Sequence, residues 1–265
     1  MAAMTIAKLQ KKKQQGEKIA SLTAYDASFA KLMAEQGVDC ILVGDSLGNV
    51  VQGRSSTVPV TMTDMVYHTA CVRRGAPDAF VMSDMPFMSY GTLDDTLKNA
   101  TQLMQAGANM VKLEGGDWLI DSVKALTERG IPVCAHLGLL PQSVNVLGGY
   151  RVQGKEEAQA LHLIEQAQQL EAAGAQLLVL ECIPNSLGKR VTQALSIPTI
   201  GIGAGPDTDG QILVMHDMLG MNSDYLPKFA KNFLAGSDGI DAAFRRFTDE
   251  VKSGAFPALK HSYEG

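Results

Sequence analysis

A chain of 265 residues with a formal net charge of −5 is long enough for one large core and falls within the usual size of a single α/β barrel. The acidic balance argues against nucleic-acid binding, which needs a basic face. Lys8, Lys11, Lys12, Lys13 and Lys18 cluster near the start, but without interleaved aromatics they read as a solvated helix face.

Taken in order, residues 4–15 predict a short helix inside a terminal segment (1–17), and KIASLTAYD (18–26) predicts the first strand. Asp26 is placed to cap DASFAKLMAEQG, a helix with Phe29, Leu32 and Met33 on one face and a stop at Gly37. In VDCILVGDSLG (38–48), Cys40 to Val43 is apolar on both faces, as a helix-covered parallel strand is, and it ends in Asp45 and Ser46 between Gly44 and Gly48. Residues 49–60 lack a helical period and predict a long loop. Thr63 and Asp64 start a helix ending at Arg74 and Gly75, and AFVMSD is the third strand, ending at Asp84.

Thr92 opens a helix with Asp95 at capping-box spacing and Gly107 at its end. NMVKLE follows as a strand ending at Glu114, and Asp117 caps WLIDSVKALTERG. IPVCAHLG carries His136, residues 155–173 form a long amphipathic helix, and AQLLVLE ends at Glu181. Pro184 marks the first turn of another helix, SIPTIGIGAG supplies a seventh strand, and a weaker eighth lies near Ile212 to Met215. Residues 225–254 read as further helices of a C-terminal extension (225–265), with KHSYEG as a loose end.

The junctions repeat. EQGVDCILVGD, QAGANMVKLE and AAGAQLLVLE each run from helix through a glycine stop into an apolar strand ending in an acid, and RGIPVCAHLG and LSIPTIGIGAG enter their strands through Ile-Pro. Seven or eight β-then-α units fit one closed (β/α)₈ barrel domain over 1–265 better than an open doubly wound sheet. No apolar stretch reaches the length of a membrane span, and MAAMTIAKLQKKKQQ lacks a secretory h-region. Cys40, Cys71, Cys134 and Cys182 form no C-x-x-C pair, so they read as small core residues of a reducing, cytoplasmic compartment.

In a barrel of this kind the carboxyl ends of the strands share one face, where Asp45, Asp84, Glu114, His136 and Glu181 would meet. Asp45, Asp84 and Glu114 are hard oxygen donors from three strand ends, a set that suits Mg²⁺, although each acid alone could be a helix cap. Lys112, two residues from Glu114, points to the same side. It serves either as an electrostatic partner of the acids and an anionic substrate, the preferred role, or as a Schiff-base nucleophile. His136 is read as a substrate contact or as a core residue satisfied by one backbone bond, and Glu181 as a free carboxylate available as a base. The alternating glycines of GIGAGPDTDGQ (201–211) are a weak signal for a nucleotide and a better one for a loop on the functional face.

The strings TAYD, VGDSLGNVVQG, MVKLEGG, HLGLLPQSVN, GGYRVQG and GIGAGPDTDGQILVMHDMLG strongly resemble the ketopantoate hydroxymethyltransferase family, over nearly the whole chain. Asn49 and Leu140 stand where the family pattern has Met and Thr. The resemblance implies a barrel related to the phosphoenolpyruvate mutase and isocitrate lyase group and a homo-oligomer, commonly a decamer. It implies transfer of a one-carbon unit from 5,10-methylenetetrahydrofolate to 3-methyl-2-oxobutanoate, giving 2-dehydropantoate in pantothenate synthesis. Carried over by position, Asp45 and Asp84 hold Mg²⁺ with Glu114 near it. Asp45, Ser46, Asp84 and Lys112 contact the oxo acid, and Glu181 accepts the proton. Two rivals stand beside this: a metal-dependent lyase or mutase on a 2-oxo acid or phosphoenolpyruvate-like substrate, with no folate requirement, and a non-catalytic binding protein. A binding scaffold has no need to aim three acids and a lysine at one face.

Overall fold

Eight short strands, nearly all buried, pair in parallel and in chain order until the last closes on the first. In the computed structural model, which describes residues 3–222 and 225–264, they are β1 Ile19–Thr23, β2 Cys40–Val43, β3 Phe80–Asp84, β4 Met110–Glu114, β5 Val133–Gly138, β6 Leu177–Glu181, β7 Thr199–Ile202 and β8 Gly210–Leu213. Side chains alternate across each strand. Cys40, Leu42, Phe80, Met82, Met110, Cys134, Leu177, Val179, Ile200 and Ile212 fill the interior of the barrel, while Leu22, Ile41, Val81, Val111, Leu113, Leu178 and Leu180 face the helices. The inward parity carries on to the strand ends. It places Asp84, Lys112, Glu114, His136 and Glu181 on the interior side at one rim, so the pattern that builds the core also aims the polar groups.

The helices are α1 Ile6–Gln15, α2 Ala27–Glu35, α3 Leu47–Val50, α4 Met62–Gly75, α5 Leu93–Gln105, α6 Ile120–Thr127, α7 Val144–Leu147, α8 Glu157–Ala172, α9 Asn185–Ala194, α10 Met215–Met218 and α11 Ile240–Lys252. Asp26 caps α2 as expected, its carboxylate accepting from the amides of Ser28 and Phe29. Thr92 caps α5. Other local expectations shift. α4 starts from a capping box of Thr61 with Asp64 rather than at Thr63, and residues 49–60 begin inside the one-turn α3. Asp117 lies within a 3₁₀ turn, Asp117–Leu119, and caps nothing.

The basic cluster is not simply solvated. α1 lies under the barrel, with Leu9 in the interior cluster. Lys13 pairs with Asp209 at 2.9 Å and donates to the Thr192 carbonyl, while Lys18 donates to the carbonyls of Pro206 and Thr208. These bonds tie α1 and the start of β1 to the base of β7, because Asp209 also accepts from the backbone amide of Thr199.

Three further expectations are corrected by the path of the chain. Residues 203–209 connect β7 to β8 without a helix and return from the rim to the base, and none of them lines the rim cavity, so this glycine-rich loop serves the barrel wall and not the functional face. Gly205 has a φ of +84°, and a Cβ there would come within 2.7 Å of the Asn185 side chain. Of residues 225–254, only α11 is helical; it packs on β1 and α2, with Phe244 and Phe247 buried. KHSYEG is not loose over its described part: His261 and Ser262 are buried, and the Tyr263 carbonyl accepts from the Asn185 amide at 2.9 Å. Among the described residues no helix is long and apolar enough to cross a membrane.

Leu9 is 1% exposed and sits where α1 meets the barrel interior. Leu9→Ala should lower the unfolding free energy by about 2–4 kcal/mol through the cavity it leaves, read from the midpoint of a urea transition at unchanged slope. A loss below about 0.5 kcal/mol would show that α1 does not plug the barrel.

Candidate active site

Neighbouring strands deliver the rim groups in register: Asp84 is paired with Lys112, Glu114 with His136, and Gly138 with Glu181. The Lys112 ammonium lies 2.6 Å from Asp84 Oδ1 and 3.7 Å from Glu114 Oε1. Asp84 Oδ2 accepts from the backbone amide of Asp45 at 3.0 Å, which fastens the turn after β2 to β3. The His136 ring then bridges two acids, with Nδ1 3.4 Å from Glu114 Oε1 and Nε2 3.2 Å from Glu181 Oε2. Neither contact is aligned as a hydrogen bond, so the attraction is mainly charge on charge. Gly138 has a φ of +94°, and a Cβ there would lie 2.2 Å from the Glu181 carbonyl oxygen. That close approach lets the Leu139 amide donate to the same oxygen at 2.8 Å and fixes where β6 ends.

Charge explains why the groups sit this way. Burial works against the Lys112 ammonium, but Asp84, Glu114 and Asp45 around it raise its pKa. It is therefore a fixed positive charge, which supports the electrostatic role over the Schiff base, because a nucleophilic amine must be neutral. Burial and the neighbouring charges of Asp84 and Glu114 push the Asp45 carboxyl well up, and Lys112 and a Gln142 hydrogen bond only partly oppose them. Burial also opposes ionisation of Glu114, but His136 and Lys112 outweigh it and hold its pKa down. Burial and Lys112 press His136 toward neutrality; Glu114 and Glu181 outweigh them and lift it to about 9. Both ring nitrogens face groups that only accept, so both must carry protons.

All five expected rim groups and Lys112 line one cavity of about 370 Å³, together with Ser46 and Asn49; Leu140 is not among its lining residues. The partner of Glu181 is His136, so this carboxylate is not free as its sequence position suggested. Sequence reasoning missed Gln142. Its amide Nε2 donates to Asp45 Oδ2 at 2.8 Å and to the Met85 carbonyl at 2.9 Å, and its backbone amide donates to Glu114 Oε2 at 3.1 Å. Tyr90 in turn donates to Gln142 Oε1. An uncharged residue in the loop after β5 carries no periodic signal. Tyr25, whose hydroxyl is 2.9 Å from Ser46 Oγ, was equally unmarked.

The donor chemistry fits a hard divalent cation. Three carboxylates surround one ammonium, and the Asp45 carboxyl is the least compensated of them. Glu114 has one oxygen toward Lys112 and His136 and the other on the Gln142 amide, and Asp84 has its two oxygens on Lys112 and the Asp45 amide, so Asp45, held through one oxygen by the Gln142 side chain, is the least engaged of the three. Among the described residues no group of three or more His, Cys, Asp or Glu side chains is arranged to hold a metal. Two carboxylates suffice for Mg²⁺, which keeps waters and takes substrate oxygens.

The family model described as ketopantoate hydroxymethyltransferase matches residues 3–259. A 3-methyl-2-oxobutanoate hydroxymethyltransferase of Idiomarina loihiensis is 71% identical over 260 residues, 98% of each chain. Among solved structures, phosphonopyruvate hydrolase in complex with oxalate and Mg²⁺ superposes with a TM-score of 0.63 at 14% identity, over 97% of this chain and 93% of that one. 2,3-Dimethylmalate lyase, a member of the PEP mutase/isocitrate lyase superfamily, gives 0.59 at 17% identity over 84% and 83%. These structures share the barrel and its class, as expected from the repeated junctions.

The bridged histidine makes a measurable demand. In a ¹⁵N-resolved NMR titration, the ring nitrogens of His136 should remain in the imidazolium form at pH 7 and titrate near pH 9. The folded value lies above that of an unfolded histidine, near 6.5. The charge therefore contributes stability that is fully present below about pH 6.5 and is lost as pH rises through 9. Titration at about pH 6.5 would dissolve the bridge between Glu114 and Glu181.

Proposed function

The chain belongs to the ketopantoate hydroxymethyltransferase family, and on that premise we propose that it transfers a hydroxymethyl group from 5,10-methylenetetrahydrofolate to 3-methyl-2-oxobutanoate, forming 2-dehydropantoate for pantothenate synthesis. The observation that carries this reading is the division of one cavity into two charged sides. On one side Asp45 and Asp84 surround the cation site beside Lys112; on the other Glu181 stands at the end of β6.

Asp45 and Asp84 would hold Mg²⁺, with Glu114 behind them as the counter-charge of Lys112 and His136. When bound, the cation acts as a Lewis acid on the keto oxygen of the oxo acid and so makes the C3 proton more acidic. Lys112 supplies the fixed positive charge that draws the anionic oxo acid to this end of the cavity, and the Ser46 hydroxyl, held by Tyr25, offers a hydrogen bond at its edge. Glu181 takes the C3 proton. Its side chain is 13% exposed against 2–4% for Asp84, Lys112, Glu114 and His136, so it is the most accessible group of this set. Water releases the one-carbon unit from the folate as formaldehyde: both C–N bonds break, each nitrogen keeps the bonding pair and takes one proton of the water, and the water oxygen stays on the carbon. The electron pair left at C3 then adds to that carbonyl carbon, and the oxygen takes up the proton removed from C3 to become the new hydroxyl. His136, expected as a substrate contact, is better placed to hold Glu181 in position through Nε2. A homo-oligomer comes to the proposal from the family resemblance, and a cytoplasmic location from the four free cysteines.

A lyase or mutase on a related substrate shares the barrel, but relatives of that kind match only at the level of fold, while the hydroxymethyltransferase likeness extends along the chain at high identity.

Two outcomes test the assignment. With oxo acid and Mg²⁺ but no folate, the native chain should exchange the C3 hydrogen with deuterated water by NMR. Glu181→Gln should lower exchange and folate-dependent turnover by about 10² or more with the oxo-acid affinity largely kept; near-native exchange would remove Glu181 as the base. In calorimetric titration with the oxo acid present, Asp84→Asn should weaken Mg²⁺ binding by at least about tenfold, since one of two carboxylate donors is neutralised. Equal Mg²⁺ affinity in variant and native chain would place the cation elsewhere.

A further inference from the structure

The strand order sets one part of the cavity apart from the oxo-acid end. In a closed barrel of eight strands, β8 stands across the mouth from β4, so the segment that follows β8 faces Lys112 and Glu114 over the opening. That segment carries Asp217 in α10. Asp217 is 7% exposed and lines the cavity, yet the chemistry assigned above makes no use of it. Its surroundings differ from those of the rim acids. Among the described residues no Lys, Arg or His forms an ion pair with it, and its one side-chain hydrogen bond comes from the Asn222 amide to Oδ1. With no cation beside it, the carboxylate keeps its second oxygen open to a donor in the cavity it lines. Burial raises its pKa, as expected for an acid with so little compensation.

The cavity it lines also has aromatic and apolar walls, Val214, Tyr225, Phe229 and Tyr263, which suit a flat ring. Anionic groups are repelled from this corner and are served by Lys112 across the mouth. A carboxylate pairs best with two parallel N–H donors. Of the two substrates in the proposed reaction, only the folate offers such an edge: the N3–H and 2-amino group of its pterin ring.

We propose that Asp217, oriented by Asn222, anchors the 2-amino-4-oxo edge of the tetrahydropterin ring, placing the folate against β8 and α10 and directing its one-carbon unit across the mouth toward the oxo acid. The inference rests on the folate-dependent reading above and adds the binding residue to it. No covalent step is involved. Asp217 is a specificity residue for the second substrate and not a participant in proton removal.

The test is calorimetric titration of the full chain, with Mg²⁺ and oxo acid present, using two probes: tetrahydrofolate and its 2-desamino analogue, which lacks one of the two donors. The native chain should bind tetrahydrofolate about 10–100-fold more tightly than the analogue, and Asp217→Asn should bind the two alike at the weaker level. Equal binding of both probes by the native chain overturns the anchor, as does an Asp217→Asn variant that keeps the native preference. Should the variant fail to fold by circular dichroism, the two probes on the native chain decide the matter alone. A native chain that binds oxo acid and neither pterin overturns the folate reading and the anchor together, whereas equal binding of the two pterins overturns the anchor only.

Discussion

A single buried ammonium, Lys112, holds together three carboxylates that would otherwise repel one another. Asp84 at 2.6 Å and Glu114 at 3.7 Å are its direct partners, and Asp45 is attached to the same group through the second oxygen of Asp84. Taking these charges out of water is expensive, and removing one partner of such a buried set typically costs about 3–5 kcal/mol because the others are left uncompensated. The arrangement persists because β2, β3 and β4 are adjacent and in register, so that each acid arrives within reach of the same nitrogen. The barrel below exists to hold that register.

From Lys112 the charges alternate outward along the rim: Glu114, then the His136 imidazolium, then Glu181. This order separates two tasks on one face. The acids nearest β2 and β3 surround an excess of negative charge suited to a cation, while the carboxylate at β6 is held by one contact and reaches into the open cavity. Gln142 braces the acids around Lys112 from the turn after β5, since it touches Asp45 with its side chain and Glu114 with its backbone. On the proposed reading, proton removal and metal binding are thus close without sharing a carboxylate.

The barrel and most of its rim were legible in the sequence for one physical reason. A strand buried on both faces reads as an uninterrupted apolar run, so an acid, lysine or histidine at its end stands out, and Asp45, Asp84, Lys112, Glu114, His136 and Glu181 were all found in this way. The other contributors lack that contrast. Gln142 is neutral and lies in a loop, and Asp217 sits in a four-residue helix behind the weakest strand, where an acid looks like ordinary surface. The opening lysines looked solvated because their partners, Asp209 and the carbonyls of residues 192, 206 and 208, are distant in sequence. The tail hides its role likewise, since Tyr263 reaches the cavity only after α11 has returned the chain to the barrel wall.

The difference between a fixed charge and a nucleophile at Lys112 is open to direct chemical trapping. Native chain is incubated with 3-methyl-2-oxobutanoate and borohydride, and its mass and proteolytic peptides are measured. An ammonium held by Asp84 and Glu114 cannot add to the keto carbon, so the peptide bearing Lys112 should be recovered unmodified while the protein remains active. A reduced adduct on Lys112 would show a neutral amine forming an imine, and would contradict the charge network on which the rest of the site has been built.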